Sequence, residues 1–358
     1  MDRLIILSTD IEGHNGFDGI FDIQDWLKFH NVSHELRQFW SDDHDCYNLG
    51  DLEHSVVIAH YNLLSTMVKN TKQVDIVVEF LSRNNQIWMV GIDSVALTYR
   101  DLQSMILALD QQVHKNSLIL LLEATPTDRS YLSHLQNIQI VERPSFHVQY
   151  QPRFKGASSK KIDPHYDFLL TMIRQPGRPH RDRLWRELNK RSNLIDRGLM
   201  SANVGRTNKW LGEPDPTKRW SDGHASMDLY LDCYLEIVPE TCYRDLWFMT
   251  EKTRKPIVTQ TPFLMVSTAG YLAWLHSQGF KTFDGLISEQ YDVCWRLEDR
   301  VRLMLDQLQD IINNGTKDFY MASQPILEYN FARLCELSGA WRWQFDQAMW
   351  QLLEQNNN

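Results

Sequence analysis

The chain has 358 residues, 43% hydrophobic and 23% charged, enough for two domains of ordinary size with large buried cores and unlike a disordered chain. No apolar run approaches the roughly 18 residues that cross a bilayer, so a membrane span is not expected. The net charge of −9 covers an asymmetry: residues 153–219 hold 16 Lys+Arg against 7 Asp+Glu, and the rest of the chain 21 against 39.

A basic middle in an acidic chain suggests a segment that faces an anion, with an unevenly charged solvated surface as the alternative. The five cysteines, Cys46, Cys233, Cys242, Cys294 and Cys335, are scattered without a CxxC pair, against a disulfide framework or a zinc site. Met1-Asp2-Arg3 runs straight into an apolar pattern and lacks a cleavable signal's features, so the expected location is cytoplasmic.

Leu4 to Leu7 reads as a first buried parallel strand ending at Ser8-Thr9-Asp10. A loop with Gly13, Gly16 and Gly19 follows, fitting neither GxGxxG nor a P-loop, then an amphipathic stretch around Ile23, Trp26 and Leu27. Further apolar runs stand at Ser55–Ala59, Val74–Val78, Gln86–Val90 and Leu118–Leu122, with a helical pattern at Leu102–Leu109. After the polar stretch Gln151–Lys161 a second set begins, with strands at Phe168–Ile173, Leu235–Val238 and Phe263–Val266. The Gly-, Pro- and Asn-rich stretch from Asn203 to Ser226 is too long for an ordinary connector and reads as a functional loop or an insertion. From Pro325 the chain is helical and aromatic, with Gly339 a point where two helices divide. The aromatic stripe there reads as core packing. Strand–helix alternation in both halves predicts an α/β protein with parallel sheets. The expected domains are residues 1–155, residues 156–324 and a C-terminal helical segment, 325–358.

The most specific run is Phe248-Met249-Thr250-Glu251-Lys252-Thr253-Arg254-Lys255-Pro256-Ile257, followed by Thr261-Pro262-Phe263, Gly270-Tyr271-Leu272 and Gly279-Phe280-Lys281-Thr282-Phe283. A carboxylate beside a lysine at a helix entrance suits a nucleoside diphosphate, the first accepting ribose hydroxyls and the second meeting phosphates with the free helix amides. Lys255 falls on a neighbouring part of the same helix face. An ordinary Glu/Lys surface helix is the bland alternative. A second run, Arg174 to Leu188, holds Arg174, Arg178 and Arg181, each a fork of donors suited to a diphosphate leaving group, with a generic basic helix as the alternative. Third, Leu120-Leu121-Leu122-Glu123-Ala124-Thr125-Pro126 places a carboxylate at a strand's carboxyl end, where a general base for an acceptor hydroxyl belongs; capping the next helix is the alternative. Asp10, Glu12, His14 and Asp18 in the first loop are rivals for base or acceptor contact.

These runs resemble the donor-binding signature of fucosyltransferase-like glycosyltransferases, including relatives of phage and marine-bacterial type. The likeness is strongest from about residue 165 to 290, moderate at Glu123 and faint in the first hundred residues. It implies two Rossmann-like domains facing a cleft, the GT-B architecture, with the C-terminal helix packing back on the first domain. It also implies inverting, metal-independent hexosyl or pentosyl transfer. Carried over by residue, Glu251 is the ribose ligand, Lys252 the phosphate ligand, Arg181 the leaving-group arginine with Arg178 and Arg174 as competitors, and Glu123 the general base. Thr250 opens the donor helix. The chain departs from true fucosyltransferases in reading Phe-Met before Thr-Glu-Lys and in lacking a luminal anchor, so fucose itself does not carry over. The implied partners are a nucleotide-sugar donor and an acceptor, either a glycan or a hydroxymethylated base of phage DNA. No cofactor is implied, and no pattern bears on oligomeric state. The histidines of the first sixth, His14, His30, His34, His44, His54 and His60, show no metal-helix spacing. A noncatalytic nucleotide-binding protein of the same fold is the second reading.

Overall fold

A computed structural model describes residues 3–8, 35–38, 55–59, 87–92, 99–112, 118–122, 125–142, 163–173, 178–203 and 227–355. The chain divides into two compact units, one of Met1–Phe146 with Trp341–Asn358, the other of His147–Ala340. The expected strand at Val74–Val78, the glycine-bearing loop with its amphipathic stretch, and residues 204–226 lie outside the described residues.

The first unit holds strands β1 (Arg3–Ser8), β2 (Glu35–Gln38), β3 (Ser55–Ala59), β4 (Ile87–Ile92), β5 (Leu118–Leu122), the short β6 (Thr125–Pro126) and β7 (Ile138–Glu142), with helix α1 (Tyr99–Gln112). Six of the strands form one parallel sheet in the order β2-β1-β3-β4-β5-β7. Its four inner strands are the continuous apolar runs of the sequence, as expected for strands with a neighbour on both sides. The edge strands β2 (ELRQ) and β7 (IQIVE) were not expected, because each mixes polar with apolar residues and has one neighbour. β7 is pinned by Asp110 of α1, whose carboxylate accepts from the amides of Gln136, Asn137 and Ile138 at 2.8–3.0 Å.

In the second unit, β8 (Tyr166–Ile173), α2 (Pro179–Asn189), α3 (Ser192–Ile195), β9 (Gly198–Asn203), α4 (Met227–Leu231), β10 (Cys233–Pro239), β11 (Leu246–Trp247), α5 (Glu251–Val258), β12 (Phe263–Val266), α6 (Tyr271–Ser277) and α7 (Leu297–Asn314) follow one another. The sheet is parallel, in the order β12-β10-β8-β9. Its core joins Phe168, Leu169 and Leu170 of β8, Leu235 and Ile237 of β10, and all four residues of β12 to buried faces of α2, α6 and α7. On α7 the buried positions Val301, Met304, Leu305, Leu308 and Ile311 repeat at helical spacing. Gly198 opens β9 against the ring of buried Phe168; a Cβ there would stand 2.3 Å from the ring, so only glycine lets the strands approach.

Helix α8 runs from Thr316 to Gln355. Two expectations are corrected here. The helix starts nine residues before Pro325, and it does not break at Gly339. A glycine inside a helix costs about 1 kcal/mol, too little to interrupt a ladder that continues on both sides. Gly315, at φ +105°, closes α7 just before this start, Asp318 lies in the first turn, and the Thr316 hydroxyl donates to buried Asp167 at 2.6 Å. No helix among the described residues is long and apolar enough to cross a membrane.

Candidate functional site

After β8 the chain lays β9 on one side of it and β10 on the other. At such a reversal the connections leave the carboxyl ends of the two strands in opposite directions and open a crevice, the usual ligand position in parallel α/β sheets. The segments that emerge there are the loop that reaches Arg178 and α2, and the loop that starts at Glu240 and ends at α5.

Thr250 is the N-cap of α5: its backbone is extended, and its side-chain oxygen accepts from the amide of Lys252 at 3.3 Å. Glu251 and Lys252 are the first two helical residues. The Lys252 ammonium donates to Thr241 Oγ1 at 3.3 Å, and the Arg178 guanidinium donates to the Thr241 carbonyl. Two cations from two helix starts, 74 positions apart in sequence, therefore meet on one residue at the carboxyl end of β10. Glu240, fully buried, lies beneath them. Its carboxylate accepts from the amides of Thr241 (2.6 Å) and Thr250 (2.9 Å) and from the hydroxyls of Thr250 (2.7 Å) and Thr253 (2.8 Å).

His180, in the first turn of α2, is fully buried, donates from Nε2 to the Glu240 carbonyl at 2.7 Å, and stacks on Tyr243 with centroids 5.0 Å apart. Burial lowers its pKa from 6.5 to about 3, and Arg181, Arg178 and Arg300 add to the lowering. The ring is thus a neutral, fixed strut between α2 and the β10 loop. Arg300 is buried too, donating to the carbonyls of Cys294 (2.5 Å) and Tyr243 (3.1 Å), and burial lowers its pKa. Asp292 accepts from the amide of Leu272 at the start of α6, and burial raises its pKa from 3.8 to about 6.

These shifts have opposite consequences for stability. Between pH 6.5 and about 3 the unfolded chain takes up a proton that folded His180 refuses, so stability falls as pH drops through that window. Asp292 holds its proton in the folded state up to about pH 6, so its contribution is present below 3.8 and is lost as pH rises through 6. A His180→Gln variant keeps a donor for the Glu240 carbonyl and removes the first effect. The stability gap between wild type and variant should move in the variant's favour by on the order of 3 kcal/mol between pH 7 and pH 4. Thermal melts across that range check it; a constant gap contradicts it.

The structure brings Thr250, Lys252 and Arg178 together, with Glu251 beside them at the helix start. Arg181 is buried in the first turn of α2, its amide bonded to the Arg178 carbonyl at 3.1 Å. Lys255 is half-buried in the last turn of α5, where its carbonyl accepts from Thr259. Arg174, Glu123, Asp10, Glu12, His14 and Asp18 lie outside the described residues. In sequence, Glu123 directly follows β5, and Asp10 is two residues beyond the end of β1. Gly279 to Phe283 belongs to the scaffold: Gly279 has φ +84° against Arg333 of α8, the main chain of Lys281 pairs with the Asn330 amide at 2.8 Å in both directions, and Phe280 and Phe283 are buried.

The sequence reading missed Glu240, Thr241 and His180. Glu240 had a weaker signal than Glu123: it follows the end of β10, but that strand carries Glu236 and ends in Pro239. Four described cations of the basic middle have carboxylate partners within the protein. Arg183 and Lys190 face Glu187, Arg191 faces Asp306 at 2.7 Å and Arg197 faces Asp167, so these cations answer internal carboxylates. Among the described residues no three His, Cys, Asp or Glu side chains converge as metal ligands.

No protein-family model matches the chain. No curated protein matches it. Among solved structures, the chain is similar to the DNA modifying enzyme beta-glucosyltransferase, at 10% identity over 96% of this chain and 99% of that one, with a TM-score of 0.45. It is similar to an alpha,alpha-trehalose-phosphate synthase (UDP-forming) from Burkholderia vietnamiensis, at 11% identity over 100% and 99%, with a TM-score of 0.49. It is also similar to an alpha1,3-fucosyltransferase, at 10% identity over 91% and 90%, with a TM-score of 0.39.

Proposed function

We propose that this protein is a glycosyltransferase of GT-B architecture that grips the diphosphate of a nucleotide-sugar at the start of α5. The observation that carries the reading is the meeting of Lys252 and Arg178 on Thr241 at the sheet's reversal point. Cations and the positive end of a helix at that place suit an anion, and the resemblance of Thr-Glu-Lys to donor-binding signatures implies that the anion is a diphosphate. Glu251 takes the ribose, Lys252 and the α2 arginines take the phosphates, and Glu123 deprotonates the acceptor.

In the reaction the acceptor oxygen attacks the anomeric carbon as its proton passes to Glu123. The bond from that carbon to the phosphate oxygen breaks, and the nucleoside diphosphate leaves with the extra charge on its terminal phosphate. Lys252 and an arginine answer that charge where it develops, which lowers the barrier without calling on a metal ion; inversion at the anomeric carbon is what the resemblance to fucosyltransferase-like enzymes implies. A glycan acceptor is favoured over modified DNA. Four cations of the basic segment face internal carboxylates, and the net charge is −9.

Thermal shift against a panel of nucleotide-sugars tests the donor, since a ligand at 100 times its Kd stabilises by about 2.7 kcal/mol. If no compound raises the melting temperature, the reading fails. Transfer to oligosaccharides and to hydroxymethylated duplex DNA, measured across salt concentrations, then separates the acceptors. A salt-steep reaction confined to DNA overturns the glycan choice.

A further inference from the structure

We infer that Glu240 is a positioning residue for the diphosphate grip, its buried carboxylate setting both ends of Lys252; the inference rests on the donor-binding reading above.

A carboxylate offers about four lone-pair positions. On Glu240 four donors occupy them: two amides and two hydroxyls, from Thr241, Thr250 and Thr253. Two of these partners lead directly to Lys252. The Thr250 hydroxyl gives its proton to Glu240, which leaves its oxygen to accept the Lys252 amide. The Thr241 amide is held by Glu240, and the Thr241 hydroxyl meets the Lys252 ammonium. Main chain and side-chain tip are thus each one residue away from the same carboxylate.

Glu240 is itself immobilised. Its amide donates to the Val266 carbonyl of β12 at 3.0 Å, and its carbonyl accepts from His180 of α2. Thr253 extends the network to the Tyr271 hydroxyl of α6 at 2.9 Å. Every polar group of Glu240 is therefore committed to a different part of the unit, and the carboxylate, 0% exposed, is out of reach of a substrate. Its effect on binding passes through Lys252. Preorganised donors need no rearrangement when charge arrives, which is the advantage of such a frame.

The test is Glu240→Gln in the full chain. The amide keeps the shape but turns one acceptor oxygen into a donor, leaving two of the four bonded groups facing hydrogens. Two readouts are taken together: affinity for inorganic pyrophosphate by calorimetry, corrected for folded fraction, and hydrogen exchange of the amides at 250–254 against those of α7. The expected result is pyrophosphate binding weaker by about tenfold or more, with faster exchange at 250–254 and unchanged exchange in α7. Unchanged exchange at 250–254 overturns the inference, as does a uniform rise in both segments with affinity per folded molecule preserved, because a purely structural carboxylate would behave so. If Glu240→Gln does not fold, Thr250→Val removes one bridge and leaves the carboxylate three partners; it should show the same local exchange and loss of affinity in smaller measure, and wild-type values there overturn the inference. If wild type does not bind pyrophosphate, the donor reading fails, and the exchange comparison still decides whether Glu240 holds Lys252.

Discussion

Replacing Lys252 with alanine is expected to lower kcat/KM for sugar transfer by about 100- to 1000-fold while leaving the protein folded. The two halves of that expectation have separate causes. A charge-assisted bond to phosphate is worth about 1.5–3 kcal/mol, and the charge that builds on the leaving diphosphate adds to it in the transition state. The fold is spared because the α5 cap uses the backbone amide of Lys252, which alanine retains, and the four bonds on Glu240 involve no lysine atom. Steady-state kinetics with the donor varied, together with a thermal melt, check it. A variant that melts like wild type and turns over like wild type would remove the ammonium from the mechanism.

Glu123→Gln is expected to lower kcat by about 100- to 10,000-fold with little change in donor affinity, because a general base acts on the acceptor proton and not on the nucleotide. In sequence Glu123 directly follows β5, an inner strand of the parallel sheet, and the carboxyl end of such a strand is where ligands of these sheets lie. The same measurement separates an enzyme from a noncatalytic nucleotide-binding protein. In the second case nucleotide-sugars bind without turnover, and the substitution changes nothing measurable. Loss of donor affinity without loss of kcat would instead move Glu123 to the donor side.

Local composition was enough for elements whose surroundings are uniform. Leu118–Leu122 and Ser55–Ala59 are strands with the bounds read from the sequence, since an unbroken apolar run has few ways to hide except between neighbours in a parallel sheet; Phe263–Val266 also keeps its bounds although it ends its sheet, because all four of its residues are buried. The helix start at Thr250-Glu251 came from the resemblance of Thr-Glu-Lys to a donor-binding signature, and the structure supplies its local cause, a side-chain cap from Thr250 to the Lys252 amide. β2, β7 and β9 were not legible, as sheet edges tolerate mixed sequences such as ELRQ, IQIVE and GLMSAN.

From sequence alone came the two parallel α/β halves, because burial leaves marks within a few positions, and the residues at the start of α5, because the Thr-Glu-Lys run resembles a known donor-binding signature. The tertiary structure alone decided what stands beside those residues. Arg178 finds Thr241 across 63 positions, His180 finds the Glu240 carbonyl across 60, and Thr316 finds Asp167 across 149. It likewise decided that Arg183, Lys190, Arg191 and Arg197 answer carboxylates of the protein itself. Contacts between such distant positions depend on which strands become neighbours, and strand order is a property of the whole sheet that no local pattern carries.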